Sequence, residues 1–315
     1  MKVKKIILVG SGAVGNSFLY SAINRGIAQE YGIIDVNEKV AFGNVLDMED
    51  AIATSIHPFN IFHAKYSDCK DADIVVITAG RPQLPGETRI DMVEGNSKIM
   101  KTIATEVKKS GFKGITVIAS NPVDVLTYVY QKVTGFEKNR VVGSGTSLDS
   151  ARFVRALSQR LDVAPQSIQA YVLGEHGDSS ISVFSSATVG GKLLSDFEKA
   201  GKIDSKEYPQ IHESVWRKAY EIIDRKGATF YGIGSALANI CENILINSKR
   251  VMMVGAYLDG HYKNNGLYTG VPAIIGCNGI ESIIEVSLSE AEQKQFDISC
   301  KLLSEVIIKA NDAIK

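Results

Sequence analysis

Six residues near the amino terminus, Gly10-Ser11-Gly12-Ala13-Val14-Gly15, constrain this chain more than any other stretch. They follow the apolar run Ile6-Ile7-Leu8-Val9 and open a long helical pattern, so a strand must turn sharply into a helix. In such a unit Gly10 makes the tight turn and Gly12 lets the backbone approach a pyrophosphate at the helix N-terminus. Gly15 allows the helix to pack closely on the strand. The basic start could open a leader peptide, but its apolar run stops after four residues at this turn. The expectation is therefore a strand and not a leader.

The first half continues the same alternation. Short β-branched runs at residues 3–9, 31–36, 61–66, 74–79 and 115–120 are strand candidates, and residues 14–29, 89–110 and 123–133 carry helical patterns. Strands that alternate with helices in this way predict a doubly wound parallel sheet, buried on both faces, with ligands beyond the carboxyl ends of its strands. After about residue 143 the pattern changes. Helices are expected at residues 148–161, 208–224 and 228–247, and hairpin turns at Gly190-Gly191, Asn265-Gly266 and Asn278-Gly279. The last helix is marked by a capping box, Ser289 with Glu292, followed by Phe296, Cys300, Leu303, Ile307, Ala310 and Ile314 at spacings of four and three. The fold class is thus α/β: an N-terminal Rossmann sheet at residues 1–144 and a C-terminal α+β domain at 145–315. A length of 315 residues accommodates two domains.

Composition narrows the partners. Lys and Arg total 35 and Asp and Glu total 35, which leaves no positive excess for nucleic acid or an anionic membrane surface. No apolar stretch approaches the roughly 18–20 residues needed to span a bilayer. The four cysteines, Cys69, Cys241, Cys277 and Cys300, are far apart and lack metal-ligand spacing. They read as reduced packing residues of a cytoplasmic protein, with no metal expected.

Asp35 ends the second candidate strand, twenty residues after Gly15, where a carboxylate can accept hydrogen bonds from both hydroxyls of an adenosine ribose. A 2′-phosphate there would meet a negative charge, and Val36 and Asn37 offer no cation. The expected cofactor is NAD. The alternative for Asp35 is a loop cap in a turn that binds nothing.

Four further motifs follow in order: Thr-Ala-Gly-Arg-Pro-Gln-Leu-Pro-Gly-Glu-Thr-Arg at 78–89, Ser-Asn-Pro-Val-Asp at 120–124, Gly-Thr-Ser-Leu-Asp-Ser-Ala-Arg at 145–152, and Gly-Glu-His-Gly-Asp at 174–178. With the glycine turn, they make the chain resemble the bacterial NAD-dependent L-lactate dehydrogenases of the lactate and malate dehydrogenase family, from the first strand to the last helix. The resemblance implies reversible reduction of pyruvate to (S)-lactate by a homotetramer. It implies that His176 donates the proton, a task suited to imidazolium near neutral pH. It further implies that Asp149 orients His176, that Arg152 grips the substrate carboxylate and that Arg89 polarises the carbonyl when the loop at 81–89 closes. On spacing alone, Asp149 and Arg152 read equally well as an i,i+3 surface ion pair.

In this family the position of Gln83 faces the group attached to the keto carbon, and malate enzymes carry arginine there. Neutral Gln83 would leave a second carboxylate unpaired, which favours pyruvate. The resemblance also assigns Asn121 to substrate and nicotinamide ribose, Thr229 to the pocket wall, and Ile233 to the nicotinamide. Val14, Tyr66, Gly80, Ala119 and Thr146 become cofactor contacts beside Gly10, Gly12, Gly15 and Asp35.

The chain departs from the family at two places. Fructose bisphosphate activates many bacterial members through an arginine and a histidine, but the matching residues here are Val154 and Gln169, neither of which is cationic. Arg155 lies about 100° further round the helix, so no activation is expected. Ser182-Val183-Phe184-Ser185 also replaces a common Pro-Val-Trp-Ser. Three alternatives stay open: an enzyme for bulkier L-2-hydroxy acids, a malate dehydrogenase, or a catalytically silent NAD-binding protein.

Overall fold

The computed structural model describes residues 3–81 and 89–315, the side chains of residues 89–91 excepted. Six short runs rich in β-branched residues form the parallel half of the main sheet: β1 (Lys5–Val9), β2 (Glu30–Ile34), β3 (Asn60–His63), β4 (Ile74–Ile77), β5 (Ile115–Ile118) and β6 (Val141–Gly143). Their order is β3-β2-β1-β4-β5-β6, and neighbours pair in parallel. This is the doubly wound Rossmann order, whose reversal between β1 and β4 opens a crevice at the strands' carboxyl ends. The crossover helices are α1 (Ala13–Arg25), α2 (Glu38–Glu49), α3 (Arg89–Lys109) and α4 (Val123–Thr134). Every residue of β4 and β5 is buried, as a sheet covered on both faces requires.

The second half contributes α5 (Ser147–Leu161), β7 (Ile168–Leu173), β8 (Ile181–Val189), β9 (Lys192–Leu193), α6 (Leu194–Lys199), α7 (Tyr208–Lys226), α8 (Tyr231–Leu245), β10 (Arg250–Asp259), β11 (Asn265–Gly276), β12 (Gly279–Ile283) and α9 (Glu290–Ala313). β7, β8 and β9 form a small antiparallel sheet. The β10-β11-β12 meander instead extends the Rossmann sheet, because Gly255 pairs antiparallel with Gly143. Among the described residues the main sheet therefore has nine strands, and its core reaches from Ile6 and Phe18 to Val254 and Phe296. A second core joins Phe153 and Leu157 of α5 to Val172 of β7, Ala187 of β8 and Val215 of α7.

Two elements of the first half carry no clear signal in the sequence. β6 has only three residues. On α2 only Ala41 and Val45 are buried, while Val40, Phe42 and Leu46 are exposed, so the helix has no clean apolar stripe. Two expected turns also move. The chain reverses between β10 and β11 at residues 260–264, and Asn265 already pairs with Asp259. Gly266, at φ +82°, serves the irregular start of β11. The last hairpin turns at Cys277-Asn278, one residue before the expected pair. Gly190-Gly191 does turn β8 into β9, with both residues at positive φ. The Ser289–Glu292 capping box opens α9, whose Phe296, Cys300, Leu303, Ile307 and Ala310 are buried. Cys69, Cys241 and Cys300 are buried free thiols, but Cys277 is exposed in its turn, so the expectation of a packing role fails there.

Two close approaches set up the functional region. Gly234 lets α8 lie against α1, where an added Cβ would stand 2.8 Å from the Phe18 nitrogen, and this carries Ile233 toward the glycine turn. Gly174 and Gly270 exchange backbone hydrogen bonds of 3.1 and 3.0 Å, which fixes the segment after β7 to β11.

Candidate active site

The glycine turn lies where the sheet order reverses. Gly10 has φ +101°, and an added Cβ would stand 2.5 Å from the Ala79 nitrogen, so only glycine fits. At Gly15 a Cβ would meet the Gly10 carbonyl oxygen and stand 2.8 Å from Thr78 Oγ1. Gly12 caps the N-terminus of α1 and faces open space, with nothing within 4 Å of an added Cβ. That open face beside the first N–H groups of a helix suits a pyrophosphate.

Asp35 lies just beyond β2. Its Oδ2 accepts from the Ser11 N–H at 2.7 Å and from Ser11 Oγ at 3.2 Å, while Oδ1 accepts from the Asn37 N–H at 2.9 Å. The carboxylate is thus locked against the glycine turn and also lines a cleft of about 940 Å³. A carboxylate has about four acceptor positions, which leaves room for ribose hydroxyls. Gly10, Gly12, Tyr66 and Gly80 line the same cleft. Burial pushes the Tyr66 phenol up to about 12, so it faces the cleft uncharged. The residues fit a dinucleotide.

A smaller cavity of about 80 Å³ carries ionisable chemistry. Val14 of α1, Ala119 and Asn121 beyond β5, Arg152 of α5, His176 beyond β7, Thr229 before α8 and Ile233 of α8 line it. These seven sequence-predicted residues thus come together from five segments of chain. Ser144, Leu148 and Ala219 complete the wall and were not anticipated. Ser144 follows β6, a strand of three residues too short to leave a pattern in the sequence, while Leu148 and Ala219 lack distinguishing chemistry. Thr146 is fully buried, with a Cβ added at Gly270 only 2.9 Å from its own Cβ, and lines neither cavity. Gln83 lies outside the described residues, as does the side chain of Arg89 at the start of α3.

His176 Nδ1 donates to Asp149 Oδ2 at 2.6 Å, and Asp149 Oδ1 accepts from an Arg152 guanidinium nitrogen at 3.3 Å. Side-chain exposure is 7% for Asp149 and 8% for Arg152, against 29% for His176. A surface ion pair is therefore excluded, and the imidazole remains the reachable member. Burial opposes charge on His176, but the charge and hydrogen bond of Asp149, helped by Asp124, raise its pKa above the ordinary value. Burial likewise works against the Asp149 carboxylate, yet the charge and hydrogen bond of His176, together with Arg152, hold its pKa below normal. Burial lowers Arg152 somewhat against the pull of Asp149, but a guanidinium stays charged in water-like pH ranges. A protonated imidazole and a guanidinium thus face one small cavity, an arrangement able to hold an anion and give it a proton.

Among the described residues no helix is long and apolar enough to cross a membrane, and no group of three or more His, Cys, Asp or Glu could hold a metal ion. Profiles of the lactate/malate dehydrogenase family match nearly the whole chain, the NAD binding domain over residues 4–143 and the alpha/beta C-terminal domain over residues 146–314. The chain belongs to the lactate/malate dehydrogenase family. NAD is accordingly its cofactor, and the lining of the larger cleft fits it.

Relatives within the family share the full length. L-lactate dehydrogenase of Mycoplasma capricolum subsp. capricolum is 57% identical over 304 residues, covering 96% of each chain. The Mycoplasma mobile L-lactate dehydrogenase is 52% identical, covering 100% of this chain and 99% of its own. A crystal structure of the minor L-lactate dehydrogenase from Enterococcus mundtii in the ligands-bound form superimposes with a TM-score of 0.96 at 42% identity, covering 97% of this chain and 98% of that one.

Proposed function

We propose that this chain is an NAD-dependent L-lactate dehydrogenase that interconverts pyruvate and (S)-lactate. The observation that carries the reading is the His176–Asp149 pair beside Arg152, opening on a cavity whose other walls include Val14, Ala119 and Asn121 of the dinucleotide domain. Full-length relatives bearing that name support it.

Each residue has a distinct task in this reading. Arg152 receives the substrate carboxylate, and its contact with Asp149 fixes the guanidinium before substrate arrives. His176 gives its proton to the developing alkoxide, and Asp149 keeps the imidazole charged and correctly turned until then. Arg89 polarises the carbonyl, and Gln83 offers neutral company to the methyl group. Asn121 and Thr229 shape the pocket, and Ile233 packs on the nicotinamide. NADH supplies the hydride when bound. Neutral Gln83 argues against oxaloacetate.

A division at residues 144 and 145 belongs to the same reading, and the matched ranges 4–143 and 146–314 support it. A cytoplasmic homotetramer is part of the same reading. Exposed Val40, Phe42 and Leu46 on α2 support self-association, since a monomer would leave them in water. Fructose bisphosphate is no activator in this reading. Val154 packs against the second core and Gln169 is exposed on β7, and neither offers charge to a sugar bisphosphate.

The deciding experiment follows NADH absorbance on addition of pyruvate to the purified protein. Rapid loss of absorbance is expected. Binding of NADH without consumption would replace this reading with a silent NAD-binding protein, and preference for branched keto acids would favour the bulkier class.

A further inference from the structure

We propose that Asp124 is a positioning residue for His176, holding its backbone and favouring its protonated form; this deepens, and rests on, the assignment of His176 as proton donor. Asp124 stands in the first turn of α4 and is 2% exposed. Its Oδ2 accepts the His176 backbone N–H at 2.8 Å, whereas its Oδ1 is buried without a hydrogen-bond partner among the described residues. The preceding backbone N–H, of Glu175, is held by Ser299 Oγ of α9 at 2.9 Å. Two successive peptide groups are thus anchored, one by a neutral hydroxyl and one by a carboxylate.

A neutral acceptor would satisfy the His176 N–H as well as Ser299 satisfies its neighbour. A carboxylate buried with one unpaired oxygen costs stability, so its charge calls for a separate explanation. Among the described residues the groups that face Asp124 are His176 and Glu175 of the same loop, Asp149 of α5 and Cys300 of α9. Arg152 also acts on His176. Burial pushes the Cys300 thiol up to about 12, so it stays neutral. The imidazolium is therefore the one cation among those facing Asp124. Burial pushes the Asp124 carboxyl up to about 7, against the hydrogen bond and charge of His176 and with help from Glu175 and Asp149. The two groups titrate as a pair, each holding the other charged.

Modification of His176 by diethyl pyrocarbonate, read by peptide mass spectrometry, reports neutral imidazole against pH without turnover. In Asp124→Asn, which keeps an acceptor and removes the charge, the midpoint should fall by about one pH unit. The alkaline limb of kcat/KM for pyruvate should move the same way. Coincident midpoints would overturn the proposal. Should the Asn variant not fold, Asp124→Ser is judged by the same midpoints. If pyruvate leaves NADH unconsumed by the wild type, the dehydrogenase reading fails while the midpoints still decide the role of Asp124.

Discussion

His176 Nδ1 and Asp149 Oδ2 stand 2.6 Å apart although 27 positions separate the two residues in sequence. The loop after β7 and the first turn of α5 meet there, and Arg152 holds the other oxygen of the same carboxylate. The contact orients one imidazole nitrogen inward and leaves the other for chemistry in the cavity.

Removal of that imidazole tests the proton donor. For His176→Ala, kcat for pyruvate reduction should fall by roughly 10²- to 10⁴-fold, the usual worth of general acid catalysis. Near-normal turnover in stopped-flow or steady-state assays would reject the assignment.

The pH dependence follows from the two opposed shifts. His176, raised above its ordinary value, adds stability that is complete below that value and fades as pH rises through the folded-state pKa. Asp149, lowered, adds stability that is complete above the ordinary carboxylate value and fades as pH falls through its folded-state pKa. The pair therefore contributes most between those limits, and pyruvate reduction should decline on the alkaline side. Asp149→Asn should shift that alkaline limb to lower pH, and an unmoved limb in kcat/KM profiles would show that Asp149 does not tune the acid.

Gly12 and Gly15 separate binding from folding. Gly12→Ala meets no atoms within 4 Å, so stability should change by no more than about 1 kcal/mol, the scale of a helix cap, while NADH binding weakens. Gly15→Ala collides with backbone and should cost about 1–3 kcal/mol, as overpacking does. Thermal melts with and without NADH distinguish the two, and equal effects would misplace the pyrophosphate.

Gln83→Arg should turn preference toward oxaloacetate at least tenfold in kcat/KM, since a hydrogen bond to a charged group is worth about 1.5–3 kcal/mol. An unchanged ratio of oxaloacetate to pyruvate would mean that Gln83 does not face the substrate.

Fructose bisphosphate should leave pyruvate saturation curves superimposable, because Val154 and Gln169 present no cation. A sigmoidal curve made hyperbolic by the sugar would reveal a site built from other residues.

Much of this protein could be read along the chain. The glycine turn, Asp35 and the buried β-branched strands are local signals, as is the Ser289–Glu292 box, because turn geometry, capping and period depend on residues a few positions apart. Seven predicted site residues then met around one cavity. Helix α2 escaped because its outward face is as apolar as its inward one, and Asn265-Gly266 misled because a bulge uses the same residues as a turn. Thr146 belongs to the motif at residues 145–152, yet its neighbour Gly270 arrives from β11 and encloses it.

Chain-local chemistry, then, determined the dinucleotide fold, the cofactor and the kinds of side chain available for proton transfer. Tertiary structure alone decided that Asp149 and Arg152 are buried partners instead of a surface pair, and that Asp124 grips the backbone of His176. Those facts depend on which segments pack together, and burial sets the strength of every charge within them, a quantity that no spacing in sequence encodes.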